Sequence, residues 1–220
     1  MTNATLILRK SLSPAQQAKR LALLQAAEEL AAEGGYEGAS MSAVAEMAGV
    51  SRATAYLYFA SKDHMLVQLN VELGKRSTWM IAEQEHVLGS AASRADLLRK
   101  LVRDMVEEGL QKPRLLSAVM STVTSPEPAV VSTFEELQDL MHERFRVLLD
   151  HDEALPEQAR TRAAILRQVF NSCLIELSTG LLAKQDAFRQ LDTTIALLCQ
   201  EVLGLTGLAG GDRQDPNASS

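Results

Sequence analysis

The sequence predicts an all-α protein, and two observations support this. Helix-forming Leu, Ala, Glu, Gln and Arg dominate the 220 residues, whereas runs of β-branched residues are almost absent. Apolar residues recur at helical spacing along most of the chain, between Ser, Gly and Pro signals that begin and end helices. We therefore expect a three-helix domain at the N-terminus and a larger helical domain after it.

The helices can be placed one by one. The first begins after Ser13, which forms a capping box with Gln16, and is predicted to end at Gly34 and Gly35. Short helices are predicted at Met41–Ala48 and Arg52–Phe59, and a long fourth helix, capped by Ser61, from Lys62 to about His86. Further helices are predicted near 93–111, 114–123, 127–150, 157–182 and 185–205, with a disordered tail over 209–220.

Charge and cysteine usage narrow the class of protein. The net charge is −6, but residues 1–62 hold six basic and five acidic side chains, so the acidic excess lies in the rest of the chain. A local basic surface suits a nucleic-acid partner despite the negative total. Cys173 and Cys199 lie inside helical patterns and are expected to be free thiols. No signal peptide or membrane span is expected, so the predicted location is the cytoplasm.

The segment Met41 to Phe59 has the pattern of a helix-turn-helix. Val44, Ala45 and Ala48 are expected to face inward, and Gly49 to supply a turn residue with positive φ. Val50 is expected to fill the core below the turn, and Ser51 to cap the second helix. In this plan the second helix enters the major groove of DNA. A helical hairpin that serves protein interaction without touching DNA is the alternative.

The same segment resembles a known family. The runs Val44-Ala45-Glu46-Met47-Ala48-Gly49-Val50-Ser51 and Ala53-Thr54-Ala55-Tyr56-Leu57-Tyr58-Phe59-Ala60-Ser61-Lys62 are similar to the N-terminal domain of the TetR family of transcriptional regulators. The similarity covers roughly the first 70 residues. It implies a DNA-binding domain over 1–62, and a ligand-sensing and dimerisation domain over 63–208.

The resemblance also implies roles for individual residues. The side chains expected on phosphates, with some reach to base edges, are Ser42, Thr54, Tyr56, Tyr58 and Lys62. Those expected to read bases are Arg52, Ala53 and Leu57, with arginine suited to guanine and the apolar pair to thymine methyls. Ala53 and Leu57 depart from the residues common in the family, which leaves the operator sequence open. Tyr56 also fits a partly buried role, and Arg52 and Lys62 fit solvated charges.

The larger domain is expected to hold a partner and an effector. The resemblance implies that the helices near 157–182 and 185–205 pair with those of a second subunit, giving a homodimer on a pseudo-palindromic operator. Their apolar residues also fit an intramolecular core. A pocket for a hydrophobic or amphipathic effector is expected among Trp79, Met80, Met105, Met120, Phe134, Met141, Phe170, Asn171 and Glu176, although ordinary core is the competing interpretation. No cofactor is expected.

Enzymatic function is the remaining alternative. His142-Glu143 begins like a metalloprotease helix, but Arg146 stands where the second histidine would be needed. The four histidines are scattered, and no nucleophile or phosphate-loop motif is present. The sequence therefore predicts neither catalysis nor a metal site. It favours a regulator, with repression the expected mode.

Overall fold

The computed structural model describes residues 12–85, 91–149 and 156–200, and these residues form helices without any strand. The all-α prediction is confirmed. The helices, in chain order, are α1 (Pro14–Gly38), α2 (Met41–Met47), α3 (Arg52–Tyr58), α4 (Lys62–Glu85), α5 (Ala91–Gln111), α6 (Pro113–Met120), α7 (Pro128–Leu149), α8 (Pro156–Thr179) and α9 (Lys184–Gln200). The predicted tail over 209–220 lies outside the described residues.

The predicted caps form at the starts of the first four helices. The Ser13 hydroxyl accepts from the Gln16 amide, and the Gln16 side chain accepts from Ser13 N–H, completing the capping box. The hydroxyls of Ser40 and Ser51 accept from the amides three residues further on in α2 and α3, and Ser61 accepts from the His64 amide at the start of α4. Each bond satisfies an amide that has no partner within its helix.

Helix α1 is interrupted at Gly35 and then continues for another turn to Gly38. The helix was predicted to end at Gly34 and Gly35, but it breaks there and resumes. Gly35 has φ 63° and ψ −156°, a conformation that is essentially confined to glycine. The short extension carries Tyr36 and Glu37 toward the start of α4. The two glycines therefore predicted the position of the break correctly, but they did not predict the short helical extension that follows it.

Substitution of these two glycines is expected to change stability in opposite directions. Gly35→Ala should lower the free energy of unfolding by about 1–3 kcal/mol, because a side chain resists this backbone conformation. Gly34→Ala is the matched control: that residue is helical and open space surrounds its missing Cβ. The control should raise stability by about 0.5–1 kcal/mol. Urea unfolding checks both, and a stabilised Gly35→Ala would contradict the assignment.

Other helix ends differ slightly from those predicted. Helix α3 ends at Tyr58, because Phe59 adopts extended backbone with φ −132°. Helix α6 gives way to a 3₁₀ turn at Ser121–Thr124, so the predicted continuous helix over 114–123 is wrong in its last turn. Helix α8 ends at Thr179 because Gly180 has φ 74°, rather than continuing to 182.

Two hydrophobic clusters organise the fold. The first joins α1, α2, α3 and the first half of α4, and it extends onto α6 through Leu115, Ala118 and Val119. The second joins α5, α7, α8 and α9 around Phe145 and Phe170, whose rings meet edge to face at 6.0 Å. Helices α4 and α6 thus connect the N-terminal helices to the larger helical part.

Polar contacts reinforce this connection. Glu28 on α1 accepts from Arg76 of α4 and Lys112 before α6, at 2.7 Å each. Burial alone would raise the pKa of the Glu28 carboxyl, but the two cations outweigh it and lower the pKa below its usual value. Ser61 also donates to Glu127, which precedes α7. These contacts therefore join the larger helical part to α1 and to the start of α4.

Candidate nucleic-acid interface and internal cavity

The second helix of the helix-turn-helix, α3, presents its predicted readers to solvent. Arg52, Ala53, Tyr56 and Leu57 are exposed, while Ala55 between them is buried. Gly49 has the expected positive φ of 67°, and Val44 and Ala45 are buried beneath the turn. The helix-turn-helix geometry predicted for Met41 to Phe59 is thereby confirmed. Tyr56 is 38% exposed, so a partly buried role and a contact with DNA both remain compatible with its position.

Arg52 and Tyr56 contact each other one helical turn apart. The Arg52 guanidinium lies 5.5 Å from the Tyr56 ring centroid and donates to its hydroxyl at 3.4 Å. Thr54 and Ser51 share a hydrogen bond of 2.9 Å at the helix start. Ser42 is exposed on α2, and Tyr58 is half-buried. These residues form a polar surface with a positive charge at one end.

Lys62 is held by the end of α1, which sequence reasoning missed. Its ammonium lies 3.4 Å from the Tyr36 ring centroid, donates to the Tyr36 carbonyl at 3.2 Å and lies 3.7 Å from a Glu37 carboxylate oxygen. The Tyr36 hydroxyl donates to Asp63, and burial together with that carboxylate raises the pKa of Tyr36 to about 12. Lys62 is therefore a structural contact as well as a candidate phosphate ligand.

His64 is buried behind this surface, with 1% of its area exposed. The Ala60 amide donates to its Nδ1 at 3.0 Å, so the neutral ring carries its proton on Nε2. Burial lowers its pKa below 6.5; nearby Arg20 adds to this, while Glu127 and Glu136 oppose it. Protonation would remove the acceptor that anchors the link between α3 and α4.

Stability is expected to fall as the pH drops below 6.5, because the unfolded histidine then binds a proton that the folded one resists. Replacing His64 with asparagine, whose amide oxygen can still accept from Ala60, should flatten this pH dependence. His142→Asn is the matched control and should leave it unchanged. Thermal unfolding between pH 5 and 8 measures the effect. If the stability of the His64 variant depended on pH as that of the wild type does, another group would be responsible for the pH dependence.

A cavity of about 430 Å³, open on one side to solvent, lies between α4, α5, α6, α7 and α8. Six of the predicted pocket residues line it, namely Met105, Met120, Phe134, Met141, Phe170 and Asn171. Glu176 is not among the residues that line it and accepts from Ser172 at 2.8 Å. The side chains of Trp79 and Met80 lie outside the described residues. Asn70, Gln138 and Arg167 also line the cavity and were missed.

A second cavity, of about 250 Å³, adjoins the first. The two share lining residues, among them Met105, Met120, Phe170 and Leu174. The second is bounded by Glu28 and Lys112, the contact that joins α1 to the larger helical part. Both cavities fall near or within the size range of small-molecule sites, roughly 300–1,000 Å³.

Within the described residues, none of the helices combines the length and the apolar character that a membrane span requires. No group of three or more His, Cys, Asp or Glu side chains is arranged to hold a metal ion in the same parts of the chain.

An exposed α3 on a helix-turn-helix scaffold is the arrangement found in DNA-binding transcriptional regulators. Comparison with known proteins gives the family. The model of the bacterial regulatory proteins of the tetR family matches residues 23–69. The transcriptional repressor KstR of Mycobacterium tuberculosis is 27% identical over 186 residues, covering 84% of this chain and 83% of its own. Residues 23–69 therefore carry the DNA-binding domain of the TetR family, and the protein is a DNA-binding transcriptional regulator similar to KstR over most of its length.

Solved structures support the same fold. A TetR transcriptional regulator from Rhodococcus sp. RHA1 has a TM-score of 0.71 and 24% identity, covering 87% of this chain and 98% of its own. The Thermus thermophilus repressor FadR, solved with lauroyl-CoA, has a TM-score of 0.62 and 22% identity, covering 91% of this chain and all of its own. The similarity therefore extends through the larger helical part.

Proposed function

We propose that the protein is a ligand-responsive repressor that binds a pseudo-palindromic operator as a homodimer. Residues 1–62 form the DNA-binding domain and 63–208 the sensing and dimerisation domain. The observation that carries the proposal is the exposed face of α3, where Arg52, Ala53, Tyr56 and Leu57 project from a helix whose opposite side is buried. A repressor blocks transcription by occupying its DNA site, so repression requires no additional surface for contact with the transcription machinery.

On DNA, the proposed contacts divide into two groups. Ser42, Thr54, Tyr56, Tyr58 and Lys62 bind phosphates, with the N-terminus of α4 assisting Lys62. Arg52, Ala53 and Leu57 read bases. Arg52 must leave the Tyr56 ring to reach a guanine, which frees the Tyr56 hydroxyl for a phosphate.

Alanine substitution separates these two groups. Arg52→Ala is expected to relax base preference at one position of each half-site, at a cost of about 1–3 kcal/mol for the preferred sequence. Lys62→Ala should weaken all sequences equally and flatten the salt dependence of binding. The measurement is selection from random DNA, followed by titration of chosen sites at several salt concentrations.

Arg160→Ala on α8 is the control and should leave both properties unchanged, since its side chain is exposed and pairs with Glu157 within its own helix. Equal, sequence-independent losses from Arg52→Ala and Lys62→Ala would remove Arg52 from the reading group. Absence of salt-dependent retention on DNA in the wild-type protein would favour the protein-interaction alternative instead.

The proposed homodimer is supported by uncharged exposed stripes on the last two helices. On α8 the exposed stripe, spaced alternately by four and three residues, is Thr161, Ile165, Gln168, Ser172, Ile175 and Thr179. On α9 it comprises Gln190, Thr193 and Leu197. Such spacing matches the seam of packed antiparallel or parallel helix pairs. A second copy of the chain is the proposed occupant.

The proposed effector is a hydrophobic or amphipathic small molecule in the larger cavity. The mainly apolar lining supports this, as does the lauroyl-CoA bound by the T. thermophilus relative. Release of operator DNA on addition of such a compound tests the proposal. We assign the protein no catalytic role and place it in the cytoplasm with the DNA it binds.

A further inference from the structure

The cavity of about 430 Å³ is lined by a positive charge without a matching negative charge. Among the described residues that line it, Arg167 of α8 is the one charged side chain, and no carboxylate accompanies it. Arg167 is half-buried and has no hydrogen-bond or ion-pair partner among the described residues. The other arginines of α8 differ in this respect: Arg160 pairs with Glu157, and Arg162 donates to Gln158 at 3.1 Å.

An unpaired guanidinium beside apolar surface is costly, because partial burial removes water without supplying a counter-charge. A ligand with a carboxylate or phosphate would supply one, and the planar guanidinium binds either group through two parallel hydrogen bonds. The positive charge in this cavity therefore selects for a negatively charged ligand.

The other residues that line the cavity indicate which parts of that ligand are polar and which are apolar. Near Arg167 in sequence, Gln168 and Asn171 supply polar groups, and the Asn171 amide donates to Gln138 at 3.3 Å. Much of the remaining wall is Met and Phe, which adapt to an unbranched apolar chain. The ligand thus has one polar end and one apolar end.

The second cavity fixes the direction of this ligand. It shares the apolar wall with the first but carries Glu28 and Glu108, while its lysine, Lys112, already donates to Glu28. An anionic group finds no unpaired cation among the described residues of that lining, because Lys112 already pairs with Glu28, whereas an apolar tail fits the shared wall. We propose that Arg167 anchors the anionic head group of an amphipathic effector, with the tail directed along the shared wall toward α6.

This proposal rests on the proposed sensing function, so the experiment measures binding and operator release separately. Full-length wild-type protein, Arg167→Gln and Arg167→Lys are titrated with laurate, lauroyl-CoA and dodecanol. The first two test a carboxylate and a phosphate source of the anion, and the third has an uncharged head group. Arg160→Gln is the control on the same helix.

The wild type is expected to bind at least one anionic probe more tightly than dodecanol. Arg167→Gln should weaken that probe by about ten- to a hundredfold without altering dodecanol binding, and Arg167→Lys should restore part of the difference. The probe that loses affinity identifies the anion as carboxylate or phosphate. Arg160→Gln should match the wild type.

Several results would overturn the proposal: equal wild-type affinity for charged and uncharged probes, no binding of any probe, or equal losses for all probes in Arg167→Gln. Loss of the dimer in that variant would also overturn it, by assigning Arg167 to the subunit contact. If the expected binding pattern holds but no probe releases operator DNA, the head-group assignment stands and the ligand-responsive function is wrong.

Discussion

Replacing Phe59 with alanine is expected to lower the free energy of unfolding by about 3–5 kcal/mol and to abolish operator binding. Phe59 is fully buried, and its extended backbone turns the side chain away from α3 into the cluster formed with α1 and α4. Its ring meets the His64 ring edge to face, with centroids 6.1 Å apart. The truncation would leave a cavity at the point where α3 is fixed to the rest of the domain.

Urea unfolding and operator titration measure the two effects. Leu57→Ala is the matched control on the same helix: with 39% of its area exposed, its truncation should change stability by no more than about 0.5 kcal/mol while altering base preference. A Phe59→Ala protein that unfolds like the wild type yet fails to bind DNA would show that Phe59 acts on DNA directly, contrary to its buried position.

Introducing aspartate at both Ile165 and Leu197 is expected to convert the proposed dimer into monomers. They lie in the uncharged stripes of α8 and α9, and a two-fold contact would bring the copies of these stripes together. Each dimer would then have to bury four unpaired carboxylates, which the apolar contact cannot compensate. Because two linked recognition helices bind far more tightly than one, operator affinity should fall by about 10²–10⁴-fold.

Light scattering gives the mass, and titration gives the affinity. Val147→Asp is the control: Val147 lies on α7 outside the stripe and is 43% exposed, against 46% for Ile165. The control should stay dimeric and bind normally. A double variant that remains dimeric would place the subunit contact on another surface and would end the proposal for α8 and α9.

Much of the helix-turn-helix could be predicted from the sequence, because its determinants are local. Serine caps act on amides three residues away, and the positive φ of Gly49 follows from the turn that it must make. The same locality explains the small errors. The extension of α1 beyond Gly35 and the early end of α3 at Tyr58 both depend on what the following residues pack against.

The apolar faces of α8 and α9 illustrate a harder case. Leu166, Phe170 and Cys173 were expected either in the core or in the subunit contact, and the structure buries them inside the chain. The exposed apolar residues lie elsewhere, at Ile165, Ile175 and Leu197. Periodicity reports that a helix has apolar faces, but not which face its neighbours cover.

By itself, the sequence determined the all-α class, the caps, the turn at Gly49 and the residues that α3 turns outward, since each depends on neighbours within a few positions. Only the tertiary structure decided that Lys62 lies on the Tyr36 ring, that Glu28 holds Lys112 across 84 positions of sequence, and that Arg167 faces a cavity without a counter-charge. These pairings depend on how whole helices cross and pack, and local patterns do not specify crossing geometry.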